Sequence, residues 1–599
     1  MCGIAAIFAY HPNATDVDSQ ELGRIRDHML ARGPDGSGEW YSPDHRVGLA
    51  HRRLAIIDLS ETGTQPMSGE GGQLVISFNG EIYNYRELRG DLERKGRVFR
   101  SQSDTEVLLH LYAEKGEAMV QDLRGMYAFA IWDARRCGLF LARDPFGIKP
   151  LYFADDGRSF RVASQVKALL AGGGVDTSPD AAGHVGFFLW GHVPEPHSLY
   201  QGIRALPAGS SLWVDGKGTN VSCFCRVADI LAKAEASADT APAASEQETL
   251  RAALKDTVRH HLIADVPVGV FLSSGMDSTT LAALASEEGG QLRTVTLGFA
   301  EFKGTLKDET VLAEQVARHY AAEHQTVWVT RSDFASQRDR LFAAMDQPSI
   351  DGVNTYFVSM AARRASLKVA LSGLGGDELF GGYPSFRQIP RMATTLRVFN
   401  RFPGFGKAAR ILAAPVLKRL TSPKYAGLLE YGGSCGGAYL LRRGLFMPWE
   451  LPELMDGEMV RRGWQELQPL LRLEETVDGL RSPRAQVSAL ESCWYMRNQL
   501  LRDSDWASMA HSLEVRVPFV DLTLWKSVAP LVAGRNPVTK QAMVRTPLKP
   551  LPSQVLNRRK TGFFIPVREW LMDGTTTSDA KERGLRPWAR MVHSRYWKN

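Results

Sequence analysis

Phe271-Leu272-Ser273-Ser274-Gly275-Met276-Asp277-Ser278-Thr279-Thr280 is the stretch on which the reading of this chain turns. Ahead of it runs Val266-Pro267-Val268-Gly269-Val270, a short apolar segment that reads as a buried strand. Behind it Leu281, Ala282, Leu284 and Ala285 read as a helix. A strand entering a Ser/Gly turn that opens a helix forms a phosphate cradle, because backbone N–H groups at the helix start point outward and the helix dipole favours an anion. Gly275 lets the backbone approach a ligand, and Ser273, Ser274 and Ser278 add hydroxyl donors. The lysine-bearing Walker pattern is absent, which excludes that class of ATPase. A serine-capped helix without a ligand shares the local pattern, so the surrounding chain has to decide.

Downstream, strand-like Arg293 to Leu297, helix-like Glu309 to Tyr320, strand-like Thr326 to Thr330, a helix through Arg340 and the apolar run Lys368 to Ser372 alternate. Strands alternating with helices predict an α/β parallel sheet with crossover helices, which binds ligands at the carboxyl ends of its strands. Three turns fall there: after Leu272, at Leu297-Gly298-Phe299, and at Ser372-Gly373-Leu374-Gly375-Gly376-Asp377-Glu378-Leu379-Phe380-Gly381-Gly382-Tyr383. Residues 391–480, with Arg397, Arg401, Arg410, Lys418 and Arg419, read as a solvated helical insert. A basic amphipathic surface for an anionic membrane or a partner is the alternative.

Upstream the texture changes. Ile4 to Ala9, Leu74 to Phe78, Tyr127 to Trp132, Leu139 to Ala142 and Phe160 to Ala163 are short runs separated by Gly, Pro, Asn and Asp. They predict an antiparallel β-rich α+β domain with a few helices, such as Leu22 to Leu30 and Thr105 to Lys115. From Leu231 to about Glu248 the chain turns to Ala, Ser, Thr and Glu. The expected organisation is therefore a first domain over 1–212, a linker over 213–248 and a second domain over 249–599, consistent with a chain of 599 residues. A net charge of +6 is small for that length and gives no reason to expect nucleic acid. No run approaches a membrane span and no secretory core is present, so the cytoplasm is the expected location. The six cysteines are scattered, without CxxC pairs, which argues against both a disulfide framework and a zinc site.

Cys2 would become terminal on removal of Met1, and its thiol would then have the α-amine as a built-in base, the logic of N-terminal nucleophile hydrolases. Its neighbours strengthen this. Cys2-Gly3-Ile4, Arg32-Gly33-Pro34-Asp35-Gly36, His51-Arg52-Arg53-Leu54, Phe78-Asn79-Gly80-Glu81-Ile82-Tyr83-Asn84 and Ser103-Asp104-Thr105-Glu106 follow in order and closely resemble the class II glutamine amidotransferase domain. That resemblance implies an Ntn-hydrolase-type layered fold. It implies Cys2 as nucleophile on the glutamine amide, with the Asn79 side chain and Gly80 N–H as oxyanion hole. The glutamine site would comprise Arg53 on the α-carboxylate, Asp104 on the α-ammonium, Leu54, Ala55, Ile56, Ile57 and Glu81. The stretch Ala163 to Leu169 continues the match, with Gln165 where the family usually has Glu.

The S-x-G-x-D-S order of the opening stretch resembles the pyrophosphate loop of the ATP pyrophosphatases. Together with Ser372 to Tyr383, Asp346-Gln347-Pro348, Ser508 to Phe519 and Asn557-Arg558-Arg559-Lys560-Thr561-Gly562-Phe563, it resembles the synthetase domain of the asparagine synthetase family. The resemblance implies ATP as substrate and Mg²⁺. Leu272 and Leu297 would line the adenine site, and Ser273, Gly275, Asp277 and Ser278 would hold pyrophosphate and the metal. Ser372 and Gly373 would touch the nucleotide, Asp377 would be a second metal-side carboxylate, and Lys560 would stabilise developing charge. Where the family usually has Asp or Glu, this chain has Leu374. Either Glu378 takes over that catalytic role or the acceptor is not aspartate. The expected activity is glutamine- and ATP-dependent amidation of a carboxylate through an acyl-adenylate, with aspartate as first candidate and a sugar uronate or peptide acid as alternative. A non-catalytic paralogue is disfavoured because the chemistry-bearing residues are all present. A homodimer is left open.

Overall fold

Side-chain alternation along the strand Gly3–Phe8 sets the layers of the first unit. Ile4, Ala6 and Phe8 pack into an inner core with Val75, Ala128, Ala130, Leu139 and Leu141. Ala5 and Ile7 point the other way, onto Leu22 and Ile25 of the helix Ser19–His28 and Leu169 of the helix Val166–Gly172. Because side chains on a strand alternate with period two, one strand serves both interfaces. A computed structural model describes residues 2–237, 246–420, 422–534, 537–558, 570 and 585–597.

The inner core lies between two antiparallel six-stranded sheets. The first runs in the order Arg204–Ala205, Tyr152–Asp155, Phe160–Ala163, Gly3–Phe8, Val47–Arg53, Gly36–Tyr41. The second runs Gly218–Cys223, Ser210–Asp215, Gly138–Arg143, Gly125–Asp133, Leu74–Ile82, Met67–Ser68. The outer face of the second sheet buries Ile76, Phe78 and Phe129 against Val107, Leu108 and Leu111 of the helix Asp104–Lys115. Helix, sheet, sheet, helix is the layered Ntn-hydrolase arrangement. The edge strand Gly218–Cys223 lies in the stretch read as the start of a linker, and the helix Val227–Ser237 follows it against Leu522–Ala533. Residues 238–245, the most linker-like part by composition, lie outside the described residues.

The second unit is built on a five-stranded parallel sheet in the order Glu323–Val329, Arg293–Phe299, Val268–Phe271, Val369–Leu371, Glu514–Arg516. Val268–Phe271, the strand that feeds the Ser/Gly turn, is central, with Val270 paired to Thr294 on one side and Leu371 on the other. A parallel strand buried on both faces needs a continuous apolar run, which explains why Val268, Val270 and Phe271 do not alternate with charge. The region after residue 384 is helical, with Ser385–Leu396, Pro403–Leu420, Cys435–Arg443, Gly457–Leu467 and Pro469–Val477. Gly457–Leu467 crosses Ala181–Trp190 of the first unit so closely that a Cβ on Gly463 would stand 2.2 Å from the Ala181 carbonyl oxygen. Among the described residues no helix is long and apolar enough to cross a membrane.

Candidate functional sites

Cys2 is buried at the head of its strand. Its backbone N–H donates to Asn79 Oδ1 at 2.8 Å, and its thiol points to the Leu54 carbonyl at 3.9 Å. Burial pushes the Cys2 thiol up, so a base is needed to take its proton. With Asn79 Oδ1 engaged, the Nδ2 amide of the same side chain is buried without a hydrogen-bond partner among the described residues. An orphaned buried donor is costly unless a ligand completes it, and this one belongs to the side chain that holds the Cys2 backbone N–H. Gly80 follows in the same strand with φ +156°, and a Cβ there would run into the Met126 carbonyl oxygen at 2.1 Å, so only glycine fits.

Cys2, Arg53, Leu54, Ile56, Ile57, Gly80, Glu81 and Asp104 line one small cavity. Arg53 is anchored by its guanidinium to the carbonyls of Ser60, at 2.9 Å, and Asp58. Asp104 opens its helix and accepts from Ile82 N–H at 3.0 Å, and burial raises its carboxyl to about 6. Two of the predicted residues do not line it: Asn79, fully buried behind Cys2 with its Oδ1 on the Cys2 N–H, and Ala55. The Ala55 N–H is turned to Asp35 at 2.9 Å.

Two residues of the second unit, Asp505 and Arg516, reach this pocket's surroundings. Arg32 donates from Nε to the Cys2 carbonyl at 3.0 Å and from its two terminal nitrogens to Asp505 at 2.6 and 3.0 Å. Arg516 lies 3.3 Å from Glu81 and 2.6 Å from Glu514. Burial, with Glu514 nearby, holds the Glu81 carboxyl well above the ordinary range.

At the carboxyl ends of the parallel strands, Leu272, Ser273, Gly275, Asp277, Ser278, Leu297, Ser372 and Gly373 line a single cavity of about 290 Å³. The loop is held open from within. Ser273 Oγ accepts from Gly275 N–H at 3.1 Å and meets Ser278 Oγ at 2.9 Å. The glycine-rich turn packs directly on it. Gly375 has φ +96°, and a Cβ on Gly376 would come within 2.6 Å of Asp277 Oδ1. Asp277 and Asp377, from different loops, are joined by the Lys540 ammonium, which contacts Asp277 and lies 2.5 Å from Asp377 Oδ1. Two carboxylates converging where phosphates would enter are hard oxygen donors of the kind Mg²⁺ accepts, and the lysine shows that the place suits a cation.

Glu378 does not reach the cavity. On the short helix Gly376–Phe380 neighbouring residues point about 100° apart, so while Asp377 faces Lys540, Glu378 is buried and accepts from Tyr383 OH at 2.8 Å. Burial and the nearby Asp377 raise its carboxyl to about 7. It cannot stand in for an acid at Leu374, which itself lines the cavity. Besides Asp277, the acids that line it are Asp351 and Asp503, neither selected from sequence. Asp503 accepts from Ser349 Oγ at 2.6 Å and Trp506 Nε1 at 2.7 Å, and burial with Asp351 nearby raises it to about 7. Lys540 was likewise missed: the sequence signal available was only its place before Arg545 and Pro547. Lys560 lies outside the described residues.

A glutamine-type N-terminal nucleophile pocket joined to a nucleotide-type parallel sheet defines a two-centre glutamine amidotransferase. Residues 1–225 match the glutamine amidotransferase domain model, and residues 249–591 match the asparagine synthase model. The chain is 33% identical over 582 residues to asparagine synthetase [glutamine-hydrolyzing] 1 of Bacillus subtilis (strain 168), covering 95% of this chain and 88% of that protein. It is 34% identical over 608 residues to a putative asparagine synthetase [glutamine-hydrolyzing] of Mycobacterium bovis (strain ATCC BAA-935 / AF2122/97), covering 96% and 89%. The chain belongs to the glutamine-hydrolysing asparagine synthetase family.

Proposed function

We propose that this chain makes asparagine from aspartate, using the amide nitrogen of glutamine and converting ATP to AMP and pyrophosphate. The observation that carries the reading is the convergence of all eight sequence-selected nucleotide residues, from separate strand ends, on one cavity. In the first pocket the Cys2 thiol, its proton taken by its own α-amine after removal of Met1, adds to the glutamine side-chain carbonyl carbon. The oxyanion receives the orphaned Asn79 Nδ2–H and the Gly80 N–H, an interaction of a kind contributing about 3 kcal/mol to the transition state. Collapse expels ammonia, and water then releases glutamate from the thioester. Arg53 takes the α-carboxylate and Asp104 the α-ammonium.

In the second cavity the aspartate β-carboxylate attacks the α-phosphorus of ATP, and pyrophosphate leaves. Ammonia then attacks the acyl carbon and AMP departs. Ser273, Gly275 and Ser278 hold the phosphates at the start of the helix Met276–Glu287, whose dipole favours them. Asp277 and Asp377 would hold Mg²⁺, which supplies charge neutralisation on the phosphates. Asp351 and Asp503 offer carboxylates for the acceptor's α-ammonium, a feature that suits aspartate better than a uronate. The domain division that goes with this reading is a glutaminase unit over 1–212, a connecting stretch over 213–248 and an amidating unit over 249–599.

The test is pyrophosphate release by the purified protein with glutamine, ATP and a panel of acids. Release dependent on aspartate is expected. Release with another acid and none with aspartate would overturn the choice of acceptor, and glutamine hydrolysis without release on any acid would overturn the coupled reaction.

A further inference from the structure

Arg226, Arg472 and Arg497 line one cavity of about 280 Å³, whose lining shares no residue with either pocket described above. Each comes from a different element: Arg226 from the turn before Val227–Ser237, Arg472 from Pro469–Val477, and Arg497 from the π-helical stretch Glu491–Leu501. Among the described residues none of the three has a carboxylate oxygen within the 4.0 Å of an ion pair. Arg472 makes a long hydrogen bond to the Glu195 carbonyl, 3.4 Å, and Arg497 donates from Nε to the Phe146 carbonyl at 3.2 Å. Two acids share the cavity. Glu195 is paired at 2.5 Å with Arg143, and Glu475 is exposed. Burial depresses the Arg472 guanidinium, and the Glu475 carboxylate offsets that only in part.

Three guanidiniums facing one concavity repel one another unless an anion joins them. Each presents a planar fork that matches carboxylate or phosphate oxygens two at a time. The cavity has the size for a small metabolite. Its position adds a consequence. The stretch that carries Arg497 continues as the helix Arg502–Met509, and on that continuous rod Leu500, Asp503 and Ser504 wall the nucleotide cavity while Asp505 holds Arg32 beside Cys2. π-helical turns recur at functional sites, where the looser ladder can shift register.

We propose that the Arg226–Arg472–Arg497 cavity is a regulatory site for a small oxyanion carrying two or more carboxylate or phosphate groups, which acts on both reaction centres through the rod Glu491–Met509. The test titrates the full chain, its nucleotide cavity filled with a non-hydrolysable ATP analogue, with citrate and separately with inorganic phosphate, followed by calorimetry. Saturable binding of one or both is expected; citrate alone would assign a polycarboxylate and phosphate alone a phosphate ester. In Arg226→Gln/Arg472→Gln the affinity should fall about a hundredfold, roughly tenfold for each charge-assisted hydrogen bond lost. Arg226→Gln alone, an exposed change, serves if the double variant does not fold. No saturable binding of either anion, or binding unchanged in the variants, overturns the site. Saturating anion should also change the rates of glutamine hydrolysis and pyrophosphate release in the parent and not in the variant, and unchanged rates overturn the regulatory role. The rate arm rests on the proposed reaction; the calorimetric arm does not.

Discussion

Asp505 grips Arg32 across the boundary between the two units through two hydrogen bonds, 2.6 and 3.0 Å, and both side chains are buried. The same guanidinium holds the Cys2 carbonyl, so the nucleophile is positioned by a carboxylate of the other unit. Removing one partner of a buried pair leaves a charge without compensation and costs about 3–5 kcal/mol. Asp505→Ala should therefore lower the thermal midpoint and reduce glutamine hydrolysis together. Asp505→Asn, which keeps the hydrogen-bond acceptor, should recover part of both. Glutamate release and calorimetric unfolding on the two variants check this.

Cys2→Ala removes the thiol and leaves the second cavity untouched. Glutamine should cease to serve as nitrogen donor, while ammonium salts continue to support aspartate-dependent pyrophosphate release. Loss of both activities in a folded variant would show that the two centres are not separable as argued.

Asn79→Ala deletes the orphaned amide donor of the side chain that holds the Cys2 backbone N–H. The expected loss is about 10²- to 10³-fold in glutamine turnover, with a smaller change in KM, because the donor meets its partner in the transition state. A steady-state glutaminase assay separates the two parameters.

Asp104 titrates near 6, raised by burial, and must be ionised to receive an ammonium group. The glutamine KM should therefore rise as pH falls through about 6, and Asp104→Asn should show a high KM with no such dependence. The stability effect has the opposite sense. A raised folded-state value favours folding below the unfolded pKa of 3.8 and loses that contribution as pH rises through about 6. Asp104→Asn should then raise the thermal midpoint near neutral pH and make little difference in strong acid.

Lys540 lies between Asp277 and Asp377. Lys540→Ala should sharply reduce pyrophosphate release by leaving two carboxylates to repel each other where phosphates enter, and should leave glutamine hydrolysis intact. Lys540→Arg keeps the charge but not the compact ammonium, and should recover little.

The layers of both units were legible because they follow from local periodicity: Gly3–Phe8 alternates, and Val268–Phe271 does not. The residues that meet in the second cavity were legible as a group because the loop and the glycine-rich turn each carry their chemistry in a few consecutive positions. What escaped acts across long separations. Asp505 meets Arg32 from 473 residues away, and Lys540 meets Asp277 from 263. No local pattern marks either as a partner. Glu378 was misread for a different reason: adjacency in sequence puts it beside Asp377, but one helical step turns it from the cavity to Tyr383. Ala55 likewise sits among true pocket residues and faces outward through its backbone.

The strand Glu514–Arg516 is the edge of the parallel sheet, and its residues serve opposite rooms: Arg516 faces Glu81 of the glutamine pocket, while Val515 lines the nucleotide cavity. A single pleat is thus the party wall of two workshops. An engineer who transplants a glutaminase half from a relative onto this chain must therefore carry over its matching wall, three residues that belong by sequence to the opposite half.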